Sequence, residues 1–225
     1  MLKWFYWTSW LPENVSTYGK EIDSLYETIY WITAVTFVLV AVTMIAFIVK
    51  YRHREGRRAT YTHGNTALEV VWTVVPAVIL VVLTFMSQPL WAKIKYSTPE
   101  TDLTIQVTAK QFNWEVTYAG PDGQFGTEDD KTFDNEMHVP VNKPVVVVLK
   151  SKDVIHSFFV PQFRMKQDAV PGRSIPQWFE ATKVGKYEIP CAELCGFGHS
   201  GMKGWVYVHP AEEYAKWVKE QWPSS

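Results

Sequence analysis

Charge is missing from two places in this 225-residue chain. Residues 28–49 and 70–91 are each twenty-two long and contain no Asp, Glu, Lys or Arg. At about 1.5 Å per residue, each would reach roughly 33 Å as a helix, close to the thickness of a bilayer's hydrocarbon core. An ordinary soluble enzyme and a disordered chain are both poor readings of such runs. Cysteine is scarce: there are two, at 191 and 195. No C-x-x-C-H occurs, so no haem c domain is expected within the chain. Internal repeats and low-complexity tracts are also missing. So is any strong excess of one charge, since 22 Lys and Arg stand against 23 Asp and Glu. Residues 92–225 hold 15 basic and 17 acidic side chains, which argues against nucleic acid as a partner.

What is present divides the chain in two, and the mean hydropathy of −0.10 averages unlike halves. Between the uncharged runs, residues 50–63 (KYRHREGRRATYTH) carry five Lys or Arg against one Glu. Basic loops stay on the cytoplasmic side, so both termini are expected outside. Trp31, Trp72, Trp91, Tyr30 and Tyr51 stand near the ends of the spans, where amphipathic rings favour the headgroup layer. Buried core helices of a large soluble fold are the competing explanation, which the cationic linker disfavours. The opening MLKWFYWTSWLPENVS is too short and too aromatic for a signal peptide and reads as a retained, membrane-hugging segment. The first helix is expected to start near Asp23 or Ser24, and the second at the Asn65-Thr66 pair, either of which can cap it. Pro76 should kink the second helix, with Thr73 placed to repair the lost bond. The two spans are expected to form a helical hairpin packed against helices of another subunit.

From residue 92 the period becomes two. Strands are expected at 103–109, 114–118, 145–149, 157–160, 177–180, 186–189 and 205–208, separated by Pro or Gly. The run Val145-Val-Val-Val-Leu149 suits a strand buried on both faces. Seven short strands without helical period indicate a β-sandwich or Greek-key barrel. A short amphipathic helix is expected over 211–222. The domain boundaries are therefore 1–91 for the N-terminal segment and anchor, with spans at 28–49 and 70–91, and 92–225 for the β domain. The oxygen-rich loop 120–130 loosely resembles a calcium loop but lacks the EF-hand order, and reads as a solvated hairpin tip.

Both cysteines lie in Cys191-Ala-Glu193-Leu-Cys195-Gly-Phe-Gly-His199-Ser-Gly-Met202, with His156 in Asp153-Val-Ile-His156-Ser157 as a remote partner. Thiolate and thioether favour copper or zinc over magnesium or calcium. A disulfide would close a tight, awkward loop and leave His199 and Met202 accidental. Structural zinc would use two Cys and two His but leave Met202 idle. A one-copper blue site needs a single Cys. Two bridging thiolates with two His and a Met can instead hold two coppers.

With these motifs the chain resembles subunit II of the haem-copper cytochrome c oxidases over essentially its whole length. The helical hairpin, the Asp153–His156 motif, Asp168-Ala-Val-Pro-Gly-Arg173 and the cysteine loop all match. The resemblance implies a transmembrane α-helical hairpin followed by an all-β cupredoxin-like Greek-key barrel. It also implies a dinuclear copper centre, CuA. In it Cys191 and Cys195 would bridge, His156 and His199 would each cap one copper, and Met202 and the Glu193 main-chain carbonyl would complete the set. The Glu193 side chain would reach a magnesium ion shared with subunit I. Asp153 falls at a family position near the cytochrome docking surface, although a turn or cap role competes equally.

Glu69, at the cytoplasmic start of the second helix, suits the helix dipole. It is also the family's candidate at the mouth of a proton path. The family's Gln-Trp-x-Trp cluster is Gln111-Phe112-Asn113-Trp114 here, so the ring that usually receives electrons is Phe112. Trp114 is the alternative carrier or plain barrel core. The implied function is electron acceptance from a cytochrome c, separate or held in the same assembly. Electrons would pass to haem in subunit I, where oxygen is reduced to water. Membrane lipid and the other oxidase subunits are the expected neighbours, with haem confined to them. The expected location is a bacterial inner membrane with the copper domain on the periplasmic side. A quinol-oxidase relative and a membrane-tethered copper-binding or copper-delivery cupredoxin are the alternatives. The intact ligand set argues against the first, and Glu69 with the basic hairpin loop against the second.

Overall fold

The computed structural model describes residues 11–223 and contains two compact units. One is Asp23–Trp91. Here α1 (Gly19–Tyr51) and α2 (Thr66–Lys95) carry the uncharged runs. Their most apolar windows are unburied within the chain, and Phe37 and Phe85 are 72% and 76% exposed. A helix that is apolar on all sides is stable only where lipid or other helices cover it. Asn65 caps α2 by accepting the Leu68 N–H at 3.2 Å. The Thr73 hydroxyl donates back to the Glu69 carbonyl at 2.8 Å rather than to the Trp72 carbonyl, the one that Pro76 leaves without its usual donor.

The other unit is a β domain. Among the described residues its ten strands are β1 (Thr104–Lys110), β2 (Asn113–Tyr118), β3 (Lys131–Asp134), β4 (Glu136–Pro140), β5 (Pro144–Ser151), β6 (His156–Val160), β7 (Met165–Ala169), β8 (Ile175–Glu180), β9 (Gly185–Pro190) and β10 (Lys203–His209). A five-stranded sheet, β3-β2-β1-β5-β8, faces a three-stranded sheet, β4-β10-β9, and β6 and β7 form a ribbon. The β1–β5 and β4–β10 pairs are parallel, so this is no simple meander. Alternating side chains from both sheets meet in one core: Val107, Trp114, Val116, Val147 and Leu149 with Met137, Val139, Ile189, Val206 and Val208. In β5, Val145, Val146, Val147 and Leu149 are buried, as the continuous run predicts. The helix α3 (Ala211–Gln221) stacks Trp217 on His138 of β4 at 4.6 Å.

Two boundaries differ from expectation. The first helix begins at Gly19, four residues before Asp23. Residues 11–22, just before and at the start of that helix, pack with the β unit. Val15 and Tyr18 are buried there, and the Val15 N–H donates to the Gln162 carbonyl at 2.9 Å. Residues 1–10, the rest of that opening segment, lie outside the described residues. In loop 120–130 the carboxylates serve their own backbone: Asp122 accepts the Gln124 N–H at 2.8 Å and Asp130 the Gly126 N–H at 2.7 Å. That makes it a hairpin tip between β2 and β3.

Candidate metal centre

Three local features assemble the site. His156 opens β6, fully buried. Cys191 directly follows β9 and is bridged to Phe158 of β6, so the ribbon and the β9 end are locked together. The segment between β9 and β10 then forms a closed loop. The Cys191 N–H donates to the Met202 carbonyl at 3.0 Å, and the Ala192 N–H to the Ser157 carbonyl at 3.0 Å. A short 3-10 turn, His199–Gly201, brings His199 and Met202 back over Cys195.

The donor atoms converge. The two thiol sulfurs are free and 3.8 Å apart. Around Cys191 Sγ lie His156 Nδ1 at 3.9 Å and the Glu193 carbonyl oxygen at 3.3 Å. Around Cys195 Sγ lie His199 Nδ1 at 3.6 Å and Met202 Sδ at 3.8 Å. Cys191, Cys195 and Met202 are buried with the core, while His199 is half-buried. Burial, and then the neighbouring Cys191 thiol, push the Cys195 thiol up to about 11. Metal binding must therefore displace a proton from Cys195. One tetrahedral ion would need four of these donors. Six are present, divided into two sets across a sulfur pair, which fits a two-ion soft-metal site better than one ion.

The supporting shell was not foreseen. Asp153 Oδ1 lies 2.8 Å from His156 Nε2 and Oδ2 accepts the Gln111 N–H at 2.7 Å. Burial opposes ionisation of Asp153, but the bonds from His156, Gln111 and Val154 hold its carboxyl below the usual range. The Gln111 side chain donates to the Cys195 carbonyl at 2.6 Å. Only the spacing Asp-x-x-His hinted at the first contact; the second joins residues 84 positions apart.

The structure separates the remaining candidates. Trp114 is buried, edge-on to His156 at 6.1 Å and to Phe158 at 5.5 Å, with its indole N–H unpartnered. It touches the centre from inside and presents no surface. Phe112 is 39% exposed and lies on the loop glycines, where a Cβ at Gly198 would come within 2.5 Å of the ring. The Glu193 side chain is exposed. Glu69 sits in the first turn of α2, in the other unit.

Family models agree with this architecture. That for the periplasmic domain of cytochrome c oxidase subunit II matches residues 121–208, and that for its transmembrane domain matches residues 5–90. The alternative cytochrome c oxidase subunit 2 of Bradyrhizobium diazoefficiens is 31% identical over 235 residues, covering 94% of this chain and 83% of that protein. The cytochrome c oxidase subunit 2 of Cereibacter sphaeroides is 35% identical over 230 residues, covering 85% and 75%. Among solved structures, the periplasmic domain of cytochrome oxidase subunit II of Bradyrhizobium japonicum aligns with a TM-score of 0.50 at 37% identity. It covers 56% of this chain and 98% of that one. With two helices able to span a membrane and a periplasmic-type β domain, the chain belongs to the cytochrome c oxidase subunit II family and is part of that oxidoreductase complex.

Proposed function

We propose that this chain is the electron-accepting subunit of its oxidase, using a dinuclear copper centre of the CuA type. In this reading Cys191, Cys195, His156, His199, Met202 and the Glu193 carbonyl would together hold two coppers. The observation that carries it is the division of six donors around a sulfur pair 3.8 Å wide. When bound, a copper pair supplies a one-electron couple whose soft, constrained ligands limit rearrangement.

The chain's own residues do the rest. The barrel core keeps water from the thiols, since Cys191, Cys195 and Met202 are all less than 10% exposed. Leu194 and Phe197, on the ligand loop itself, are 78% and fully exposed. Apolar side chains held out beside a buried centre are a surface for a partner protein. The donor is a cytochrome c, separate or held in the same assembly, and the acceptor is haem in subunit I, where oxygen becomes water. The Glu193 side chain would help hold a magnesium ion shared with subunit I, and Glu69 would open a proton path from the cytoplasmic side. The membrane is a bacterial inner membrane, with both termini and the β domain outside.

Copper analysis and EPR of the purified full-length chain in its complex test this reading. Two coppers per chain and an unpaired electron shared between two nuclei are expected. One copper per chain, or zinc that resists copper loading, overturns it.

A further inference from the structure

We infer that Asp153 is a positioning residue for this centre: its carboxylate fixes which nitrogen of His156 carries the proton, and hence which nitrogen faces the thiols. A neutral imidazole offers one N–H and one lone pair. Asp153 already accepts main-chain N–H groups on both oxygens, so with Oδ1 at 2.8 Å the ring proton belongs on Nε2. The lone pair is then left on Nδ1, the atom 3.9 Å from Cys191 Sγ. The other tautomer would set a lone pair against the carboxylate and turn an N–H toward the metal position. Because His156 is fully buried, water cannot relieve that mismatch.

The carboxylate is itself fixed. Oδ1 also accepts the Val154 N–H at 2.7 Å, and Oδ2 accepts the Gln111 N–H at 2.7 Å. Two main-chain bonds would suffice for an acid that merely capped this turn; the third is spent on His156. Gln111 extends the brace, holding Asp153 by its main chain and the cysteine loop by its side-chain bond to the Cys195 carbonyl. Both halves of the donor set are thus referenced to the end of β1. Although 30% of the Asp153 side chain is exposed, both its oxygens already serve the interior, so a docking role is not needed to explain it.

The inference takes its purpose from the copper reading, but its first test needs no metal. The full-length chain, labelled with 15N-histidine and kept metal-free in detergent, reports the His156 tautomer by solid-state NMR. A pyrrole-type Nε2 and a pyridine-type Nδ1 are expected, with Asp153→Ala giving a mixture or the reverse. In Asp153→Asn, which keeps an acceptor but loses the charge, the copper-loaded centre should show a raised potential and altered EPR hyperfine pattern. A wild-type Nδ1–H tautomer, or an Asp153→Ala chain still purely Nε2–H, overturns the inference. If Asp153→Ala does not fold, an unchanged potential and spectrum in Asp153→Asn overturns it instead. Should the tautomer respond as expected while the chain binds only one copper, the positioning role stands and the copper-pair reading falls.

Discussion

At Gly198 a Cβ would meet the Phe112 ring at 2.5 Å, although the backbone there, with φ near −86°, suits any residue. The glycine is needed for the ring, not for the turn. Gly198→Ala should therefore cost about 1–3 kcal/mol by overpacking, and most of that should vanish when Phe112→Ala accompanies it. Thermal melts of the two single variants and the double variant measure the coupling; additive losses would mean that the ring does not rest on the loop. A second residue-scale effect lies on the far sheet. His138 and His209 face each other with ring nitrogens 2.9 Å apart. Burial, and then its charged neighbour, lower His138 to about 4, and His209 is also lowered by burial. The unfolded chain takes up protons on these rings near pH 6.5, before the folded chain does. This contribution to stability is thus complete above about pH 6.5 and lost as pH falls toward 4. The melting temperature should drop across that window, and His138→Gln should flatten the drop. At this scale the converging donors were legible because soft donors crowd into twelve residues, 191–202. Their braces were hidden because Gln111 meets Cys195 only through the fold.

Among the elements, the long helices and the Val-rich β5 announce themselves by composition. β3, β4 and β7 do not: Lys131-Thr-Phe-Asp134, Glu136-Met-His-Val-Pro140 and Met165-Lys-Gln-Asp-Ala169 are short and carry charge. They become strands by pairing with β2, β10 and β6, a tertiary reason that no local period records. The segment before α1 is the other surprise. Its Ser16 hydroxyl donates to the Phe163 carbonyl at 2.9 Å, the Thr182 N–H returns to the Val15 carbonyl at 2.8 Å, and Tyr18 packs edge-on against Trp178 at 5.2 Å. Its hydroxyl reaches the Trp178 carbonyl at 3.2 Å, so the buried phenol is satisfied. Tyr18→Ala should cost about 3 kcal/mol. A fragment of residues 92–225 should melt lower than one in which residues 11–22 are joined to it by a flexible linker. Equal melting temperatures would show that the segment contributes nothing to the β domain.

For the whole molecule, charge is distributed in a way that bears on association. The exposed side chains around the ligand loop include the apolar Leu194, Phe197, Phe112, Val154 and Ile155 beside the charged Lys152, Asp153 and Glu193. The acids Asp122, Glu128, Asp129 and Asp130 are gathered on the β2–β3 tip, and residues 92–225 have a net charge of 15 − 17 = −2. Steering by opposite charges falls steeply with ionic strength. Turnover with the native donor should accordingly change by no more than about twofold between low salt and 0.2 M, where the Debye length is below about 10 Å. A collapse at high salt would show that an acidic face guides the donor after all. The root of the ligand loop carries a consequence of another kind. Cys191 and Met202 are joined there by a main-chain hydrogen bond, and Pro190 and Lys203 stand opposite each other in the antiparallel β9–β10 pair. The loop is therefore a separable piece: four of the five side chains proposed as ligands would leave with it, while His156 and its brace stay in the barrel. A loop of different length and ligand content, spliced between Pro190 and Lys203, would alter which metal this scaffold accepts and leave the strands to fold as before.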